Sequence, residues 1–529
     1  METKPTVREA TLALLRSLRI TTVFGNPGST ELGLLRDWPE DFRYILALNE
    51  ASAVAMADGY AQASGRPALA SLHSAGGLGH ALGSVMTAWW NQTPVVIIAG
   101  QQTRALLPLM PYLHDLEAAQ FPRPYVKWSA EPARAEDVPA AIARACYTAI
   151  QRPCGPTFVS VPADDWEAPT DPLEPREVAT EFAPDPDALA RVAAALDASR
   201  RPALVVGPGV DRDGAWDLAI ELACRTRAAV WVSPYSSRCS FPEDHPLFAG
   251  FLPAARQPLC RKLDGHDVIV VLGAPVFTFH IHTEGPVIPP GARLFQLVDD
   301  PAAAAWAPAG ASVLCTMRLG LAHLVERVAA SARPTPPGLR RPPAPAAADP
   351  ITAAFVLHAV GAAMPGDAII VDEVPSHRPL LHDYLPIRSS GGFYAGASGS
   401  LGWGLPAAAG ISLAQPGRRV ICVVGDGSAQ YAIQGLWTAA QHHMPITFVI
   451  FNNGGYAALD AFSALTGAKS HPSFQLPGID VGVIAAGYGC AARRVEWAAE
   501  LGPALEASFQ AAGPTLLDIP IKDSAPSLF

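Results

Sequence analysis

The sequence predicts an α/β protein with three domains, each a mostly parallel β-sheet covered by helices. The 529 residues are enough for about three domains of ordinary size. Two proline-rich stretches divide the chain into three parts. Short runs rich in β-branched residues alternate with alanine-rich helical stretches, which is typical of parallel sheets covered by helices. The predicted strands are residues 95–99, 157–161, 203–206, 268–272, 368–371, 420–424 and 446–451.

The two proline-rich stretches lie at residues 169–186 and 334–350. Such segments are extended and bury little surface, so we interpret them as linkers. The predicted domains are therefore residues 1–170, 187–331 and 350–529. The first and third share a local pattern, because residues 87–94 and 438–445 have the same Thr-to-Pro spacing and each precede a predicted strand. This pattern indicates related folds for the first and third domains.

Composition and charge exclude several classes of protein. Hydrophobic residues make up 50% of the chain and charged residues 16%, which excludes general disorder. A net charge of −10 argues against a nucleic-acid partner. The eight cysteines have no CxxC spacing, so we expect core thiols rather than a zinc site or a disulfide framework.

No membrane partner is expected either. Residues 389–417 carry no charge over a length that could span a bilayer, but they are crowded with glycine and serine and contain Pro406. They are better interpreted as tightly packed backbone inside a protein. The N-terminal residues lack the pattern of a secretory signal, and we expect a cytoplasmic protein.

The strongest local signal lies in the third domain, where two predicted strands end in polar turns. Residues 420–424 run into the turn 425–428, Gly-Asp-Gly-Ser, and residues 446–451 run into the turn 452–455, Asn-Asn-Gly-Gly. A Gly-Asp-Gly turn lets backbone approach a ligand closely, and the following helix offers free N–H groups to phosphate. The oxygens of Asp426, Asn453 and the Gly455 carbonyl suit Mg²⁺ shared with a diphosphate. Either turn alone is typical of an ordinary loop, but the pair predicts a metal–diphosphate site.

These turns resemble the motif of thiamine-diphosphate-dependent enzymes, and the resemblance extends over essentially the whole chain. In the first domain, residues 25–29, 48–51 and 57–61 resemble the pyrimidine-binding domain of 2-keto acid decarboxylases and acetohydroxyacid synthases. Within this family the chain most resembles benzoylformate decarboxylases, in residues 24–29, 72–75, 100–104, 126–129 and 273–280. The resemblance implies the thiamine-diphosphate-binding fold twice, with a Rossmann-like middle domain between the pyrimidine-binding and diphosphate-binding domains.

The resemblance implies thiamine diphosphate and Mg²⁺ (or Ca²⁺) as cofactors. Glu50 would hydrogen-bond N1′ of the aminopyrimidine, and the Gly399 carbonyl would accept from its 4′-amino group. Leu401 would lie beneath the bent cofactor. The remaining implied cofactor-binding residues surround the two turns: Gly425, Asp426, Gly427, Ser428, Asn453, Gly455 and Tyr456.

The implied reaction is non-oxidative decarboxylation of an aromatic, benzoylformate-like 2-keto acid to the aldehyde and CO₂, through a carbanion/enamine intermediate on the cofactor. Histidine moves protons near neutral pH, so His73 and His280 form the expected acid–base pair. His282 could exchange roles with His280. Ser29 would donate to the substrate carboxylate. The implied substrate-binding residues are Ser29, His73, Leu113, Leu459 and Phe462.

Some features leave alternatives open. Ala395 and Gly396 are small and Pro375 replaces a hydroxyl residue of the family, which predicts a wider pocket. The chain could instead be a 2-hydroxyacyl-CoA lyase or an acetohydroxyacid-synthase-like carboligase, which often holds a flavin in the middle domain. Residues 207–209, Gly-Pro-Gly after a predicted strand, are only a weak indication of a nucleotide site. From another class, it could be an inactive cofactor-binding scaffold, which the retained Glu50 and histidines argue against.

The resemblance also implies the partners of the chain. Its partner in catalysis would be a small-molecule 2-keto acid. The chain would form a homo-oligomer, a dimer of dimers, in which each site is shared between two chains.

Overall fold

The computed structural model describes residues 4–521, so residues 1–3 and 522–529 of the predicted first and third domains lie outside the described residues. Three six-stranded sheets follow one another along the chain, and their strands pair in parallel. This confirms the predicted fold class. Residues 171–185 and 331–348, between the sheets, form neither helix nor strand. The domain boundaries themselves stay a prediction.

The first sheet has the strand order β2-β1-β3-β4-β6-β5. Its central strands are buried along their whole length, which explains their continuous apolar sequence. The strands are β1 (Thr22–Gly25), β2 (Arg43–Leu46), β3 (Ala68–Leu72), β4 (Val95–Gln101), β5 (Ser129–Ala130) and β6 (Thr157–Pro162). The helices are α1 (Val7–Ser17), α2 (Leu32–Leu35), α3 (Glu50–Ser64), α4 (Ser74–Trp90) and α5 (Val138–Ile150).

The middle sheet has the order β9-β8-β7-β10-β11-β12, which is the order of a Rossmann fold. Its strands are β7 (Pro202–Val206), β8 (Ala229–Val232), β9 (Phe248–Phe251), β10 (Val268–Leu272), β11 (Arg293–Val298) and β12 (Ala311–Leu314). Its helices are α6 (Pro186–Ala198), α7 (Pro208–Arg212), α8 (Trp216–Thr226), α9 (Arg256–Lys262), α10 (Pro301–Trp306) and α11 (Met317–Arg327).

The glycine turn after β7 packs against the chain itself. The N–H of Gly207 donates to the carbonyl of Leu272 (2.8 Å), and the N–H of Gly209 donates to that of Gly273 (3.0 Å). A Cβ on Gly207 would lie 2.3 Å from the Cβ of Ala274. These two amides are therefore already paired, and the turn offers no support for a nucleotide in the middle domain.

The third sheet has the order β14-β13-β15-β16-β18-β17, which repeats that of the first sheet strand for strand. Its strands are β13 (Ile369–Glu373), β14 (Phe393–Ala395), β15 (Val420–Gly425), β16 (Ile446–Asn452), β17 (Ala491–Arg494) and β18 (Thr515–Pro520). Its helices are α12 (Ala353–Ala363), α13 (Arg378–Tyr384), α14 (Gly404–Ala414), α15 (Asp426–Ala429), α16 (Gly435–Gln441), α17 (Ala457–Thr466), α18 (Val481–Gly487) and α19 (Ala498–Gln510).

Helices α3 and α14 pack the first and third domains together. A Cβ on Gly59 would lie 2.4 Å from the carbonyl oxygen of Ala407, and one on Gly410 would lie 2.0 Å from that of Met56. The uncharged stretch at 389–417 supplies α14, which is buried from Gly404 to Ser412. This part of the stretch is packed inside the protein as predicted, whereas both ends of the stretch are exposed. Within residues 4–521, every helix is too short or too polar to cross a membrane.

Candidate active site

The two polar turns of the third domain lie side by side, because β15 and β16 pair in parallel up to Gly425 and Phe451. Asp426 follows as the first residue of α15 and is 6% exposed. Burial raises the pKa of Asp426 to about 6, against the opposite effect of nearby backbone amides such as that of Gly454. Its Oδ1 has no hydrogen-bond partner among residues 4–521. A buried carboxylate oxygen in this state fits a cation, because an unpaired buried polar atom is otherwise costly.

The second turn completes the same corner of the sheet. The Oδ1 of Asn453 accepts from the N–H of Gly455 (3.1 Å), and a carbonyl oxygen keeps a second lone pair for another partner. A Cβ on Gly427 would lie 2.7 Å from the ring of Tyr456, so this ring covers the first turn. Ser428 is also buried. The structure therefore brings together the predicted residues of both turns.

The loop that carries Gly399 and Leu401 lies against the segment after α15. Gly399 has a φ of +74°, which explains the glycine, and Leu401 is half-buried. A Cβ on Gly402 would lie 2.8 Å from the Cβ of Tyr431, so this loop and the Asp426 turn are neighbours. Glu373, which sequence reasoning missed, accepts hydrogen bonds from the backbone N–H groups of Gly402 and Gly404. Burial raises the pKa of Glu373 to about 7.

Glu50 is the first residue of α3 and is 7% exposed. Its Oε1 accepts from Nδ2 of Asn26 (3.2 Å), and its Oε2 lies 3.2 Å from Nδ1 of His80. A Cβ on Gly77 would lie 2.9 Å from Oε1, so α4 packs closely on the carboxylate. Asn26 and His80 were not predicted. Each carboxylate oxygen thus has a polar neighbour, which holds Glu50 in one orientation.

His73 lies directly after β3 and precedes α4. Its Nδ1 is 2.9 Å from Oε2 of Glu31 and 3.1 Å from Oγ1 of Thr30. Its side chain is 24% exposed, so the ring is held at one end and reachable at the other. Ser29 is exposed and begins the short 3₁₀ turn that contains both partners. Along the chain, Ser29 therefore immediately precedes the two residues that hold His73.

His280 reaches the third domain. Its Nδ1 is 2.9 Å from the hydroxyl of Tyr235, and its ring centroid is 4.9 Å from that of Phe462 on α17. His282 is different, because its side chain is 79% exposed. Within residues 4–521, the one polar contact of this side chain is an ion pair of 3.8 Å with Glu284. The surroundings therefore favour His280 over His282 as the histidine that faces the predicted substrate-binding residue Phe462.

The other predicted substrate-binding residues lie on two different domains. Leu113 is half-buried, has a φ of +64° and belongs to the loop after β4. Leu459 lies on α17 and is 43% exposed. Ala395 is fully buried in β14. Its small side chain therefore does not line an open pocket, and the prediction that it widens the substrate pocket is wrong.

Predicted site residues and the residues that contact them fall into two groups. The first-domain group comprises Asn26, Ser29, Glu31, Glu50, His73 and His80, and the other group comprises Tyr235, His280, Asp426, Asn453, Gly455, Tyr456 and Phe462. No hydrogen bond, ion pair or ring contact within residues 4–521 joins the two groups. The two groups are therefore not in direct contact within these described residues, and we call them half-sites.

Comparison with known proteins relates this arrangement to a family. Three parts of the chain match thiamine pyrophosphate enzyme domains: residues 5–120 the N-terminal TPP binding domain, 189–324 the central domain and 374–519 the C-terminal TPP binding domain. The chain is also 45% identical over 526 residues to benzoylformate decarboxylase of Pseudomonas aeruginosa, covering 98% of this chain and 100% of the relative. The chain belongs to the thiamine pyrophosphate enzyme family. Thiamine pyrophosphate is another name for thiamine diphosphate, so the resemblance predicted from the sequence is confirmed.

Two solved structures of this family are closely similar to the chain. Benzoylformate decarboxylase of Polynucleobacter necessarius has a TM-score of 0.97 at 40% identity and covers 99% of this chain and 100% of its own. The 4-hydroxybenzoylformate decarboxylase of Rhodococcus jostii RHA1 has a TM-score of 0.95 at 40% identity, over 98% and 100%. The three-domain order is therefore that of thiamine pyrophosphate enzymes.

The residues present fit the cofactor of the thiamine pyrophosphate enzymes. The unpaired Oδ1 of Asp426 offers a charged oxygen to a cation, and the Gly427 turn and the start of α15 offer backbone to a diphosphate. Glu50 offers a buried carboxylate to a ring nitrogen. Sequence reasoning missed Glu31, His80, Tyr235 and Glu373, because each lies far along the chain from the residue that it contacts.

Proposed function

We infer that the chain decarboxylates an aromatic 2-keto acid without oxidation, giving the aldehyde and CO₂. The observation that carries this conclusion is the pair of histidines whose Nδ1 atoms are both occupied, that of His73 by Glu31 and that of His280 by Tyr235. Both rings therefore keep Nε2 for proton exchange. Decarboxylation needs a proton delivered to the carbonyl oxygen, one delivered to the carbon that loses CO₂, and one removed at release.

When bound, thiamine diphosphate supplies a nucleophilic carbon and a sink for the electrons left by departing CO₂. Glu50 binds and orients its aminopyrimidine ring, with Asn26 and His80 holding the carboxylate in place. His73 and His280 hold and transfer protons at Nε2. Ser29, exposed beside the residues that hold His73, donates to the substrate carboxylate.

The apolar residues near His280 support the proposal that the substrate is aromatic. Phe462 packs on the His280 ring, and Leu459 lies one helical turn before it on α17. Leu113 would complete the apolar surface from the first domain. The similarity of the chain to benzoylformate and 4-hydroxybenzoylformate decarboxylases also supports a substrate with one aromatic ring.

We propose that Mg²⁺ or Ca²⁺ is held by Asp426, Asn453 and the Gly455 carbonyl. Asp426→Ala should abolish retention of thiamine diphosphate, because the diphosphate would face this corner without the charged metal ligand. Asp367→Ala is the matched control, since Asp367 is exposed and precedes β13 at the other end of its sheet. Equilibrium dialysis with thiamine diphosphate and Mg²⁺ measures retention. Normal cofactor occupancy in Asp426→Ala would contradict the metal assignment.

We also propose that the two half-sites meet across a dimer, and that two dimers pair into a tetramer. The first-domain segment 106–116 is strongly exposed although it is apolar, with Leu109 at 73%, Met110 at 67% and Leu116 at 73%. The apolar helix α17, which carries Phe462, has no buried residue. A second copy of the chain would cover both surfaces and bring Glu50 of one chain to Asp426 of the other.

The decisive experiment measures CO₂ release from a panel of 2-keto acids with added thiamine diphosphate and Mg²⁺. We expect benzoylformate and 4-hydroxybenzoylformate to react much faster than pyruvate. Enzyme treated with a chelator and freed of cofactor is the control, and activity should return when both cofactors are restored. Product that joins two keto acids, with little free aldehyde, would instead support the acetohydroxyacid-synthase-like carboligase.

A further inference from the structure

A buried carboxylate of the first domain contacts one of the two proposed acid–base histidines. Glu31 is 3% exposed, and its Oε2 lies 2.9 Å from Nδ1 of His73. We propose that Glu31 is a positioning residue that keeps the His73 proton on Nδ1 and leaves Nε2 to exchange protons with the substrate. This inference rests on the proposed function, because it concerns how His73 performs its part.

The hydrogen bonds around Glu31 define where the protons are. Its Oε1 accepts from the N–H of Gly100 (2.9 Å) and the hydroxyl of Thr30 (2.7 Å), and its Oε2 accepts from the N–H of Gly28 (2.8 Å). An ionised carboxylate only accepts, and it has enough lone pairs for these donors and for His73.

Thr30 removes the remaining ambiguity about the His73 tautomer. The single hydroxyl proton of Thr30 points to Glu31, so its Oγ1, which is 3.1 Å from Nδ1 of His73, can only accept from this nitrogen. Both polar neighbours of Nδ1 are therefore acceptors. Nδ1 must carry the proton, and the neutral ring has its lone pair on Nε2.

A carboxylate in this position also supports the charged form of the ring. When Nε2 takes up a proton, the positive charge on His73 is stabilised by a charge-assisted hydrogen bond to Glu31. His73 can therefore gain and lose a proton at Nε2 while Nδ1 stays unchanged. The ring keeps its orientation through this exchange.

Two glycines hold the pair at this distance. A Cβ on Gly28 would lie 2.3 Å from Nδ1 of His73, and a Cβ on Gly100 would lie 2.2 Å from Oε1 of Glu31. Any side chain at either position would displace the ring or the carboxylate. Gly28 follows β1, Gly100 lies near the end of β4, and His73 follows β3. Close packing of these three segments therefore fixes the position of the His73 ring.

Glu31→Gln tests the proposal, because the amide keeps the size of the side chain and can present a donor to Nδ1. We expect kcat for benzoylformate to fall by ~10²–10⁴, the range for loss of a correctly held acid or base. KM and the Kd for thiamine diphosphate, measured by titration calorimetry, should change by less than about threefold. In a His73→Ala background the same substitution should cause no further loss, since its effect acts through His73.

The control is Asp165→Asn, which alters an equally buried carboxylate of the same domain that pairs with Arg104. Asp165→Asn should lower the melting temperature and leave kcat nearly unchanged. If Glu31→Gln does not fold, Thr30→Val takes its place: removal of one hydrogen bond should lower kcat about tenfold, and again only when His73 is present.

Three results would overturn the role of Glu31 while the enzyme itself is active: a Glu31→Gln kcat within about threefold of wild type, an equal loss with and without His73, or a Kd for thiamine diphosphate raised more than about tenfold. Lack of CO₂ release by the wild-type protein from every aromatic 2-keto acid is a separate result. It would reject the proposed function, and the role of Glu31 with it.

Discussion

At the scale of single residues, the two proposed acid–base histidines are held by chemically different partners. His73 faces a carboxylate, whereas His280 faces the neutral hydroxyl of Tyr235. A hydroxyl can donate to Nδ1 or accept from it, so Tyr235 allows either tautomer of His280. Tyr235 itself has a φ of +54°, a conformation that is uncommon for a bulky residue. Such outliers are frequent at functional sites.

The first prediction compares three variants near His280. His280→Ala should lower kcat by ~10²–10⁴ because it removes a positioned acid or base. Tyr235→Phe should lower kcat about tenfold, since it removes one hydrogen bond to the ring and keeps the packing. His282→Ala is the matched control and should leave kcat nearly unchanged, because that side chain is 79% exposed. Steady-state kinetics with benzoylformate would reverse our choice between the histidines if His282→Ala were the inactive variant.

The residue scale also shows what the sequence alone could predict. Glu50, Asp426 and Asn453 belong to local motifs of a few adjacent residues, so the sequence alone could propose them as site residues. Glu31, Tyr235 and the other missed residues carry no such spacing, because they reach their partners across the sheets. Tyr235, for example, lies 45 positions from His280 along the chain. Only the fold can show that such residues meet.

At the scale of elements, the end of strand β13 holds in place a loop of the candidate active site. Glu373 ends this strand and accepts from the backbone N–H groups of Gly402 and Gly404, on either side of Trp403. Its neighbour Asp372 also raises its pKa, although less than burial does. The loop with Leu401 is thus tied to a central strand rather than to the surface.

The second prediction uses the raised pKa of Glu373, about 7 in the folded protein against an ordinary value of 4.5. Between these values the folded state binds more protons than the unfolded state, so the stability contributed by Glu373 is present below about pH 4.5 and is lost as the pH rises to about 7. The melting temperature of wild type minus that of Glu373→Gln should therefore fall between about pH 5 and about pH 7. Above about pH 8 this difference should stay constant. Glu506→Gln, at an exposed position, is the matched control. A pH-independent difference for Glu373→Gln would contradict the burial argument.

The third prediction concerns the contact between α3 and α14. Gly410→Ala would place a Cβ 2.0 Å from the carbonyl oxygen of Met56, so the helices must separate. We expect a destabilisation of about 1–3 kcal/mol, as for other overpacked cores. Gly502→Ala is the control, since a Cβ there meets nothing within 4 Å and alanine favours the helix. Thermal unfolding should show a lowered transition for Gly410→Ala and an equal or raised one for Gly502→Ala.

The elements themselves were well predicted where burial makes a strand continuously apolar. All seven predicted strands are present, and each end lies within two residues of its predicted position. Five internal strands, such as β8, and all the edge strands were not predicted. Among the edge strands, β17 has the sequence Ala-Ala-Arg-Arg and is exposed throughout. Edge strands need not be apolar, so hydrophobicity does not reveal them.

At the scale of the whole molecule, the two half-sites lead to a test of assembly. If the half-sites meet across a dimer as proposed, Glu50→Gln and Asp426→Ala should each inactivate both sites of their own dimer, through different residues. If the chains of the two variants exchange, a mixed dimer has one site with both damaged halves and one with both intact halves. Random exchange at equal amounts should restore activity to about a quarter of wild type.

The controls for this fourth prediction are the two variants kept apart and a mixture held under conditions that prevent exchange. Differently tagged chains report exchange directly. Absence of any recovery, despite proven exchange, would mean that each site is built within one chain. Size-exclusion chromatography with light scattering would separately show whether dimers pair into tetramers.

The contact between α3 and α14 also has a consequence during protein synthesis. α3 ends at Ser64, and α14 begins at Gly404, about 340 residues later. At roughly 5–20 residues per second, the ribosome needs about 17–70 s to cover that distance. For this time the face of α3 around Met56 and Gly59 has no covering helix from its own chain. Chaperones and neighbouring nascent chains can bind it in that interval, so the elongation rate sets how long the growing polypeptide is open to aggregation.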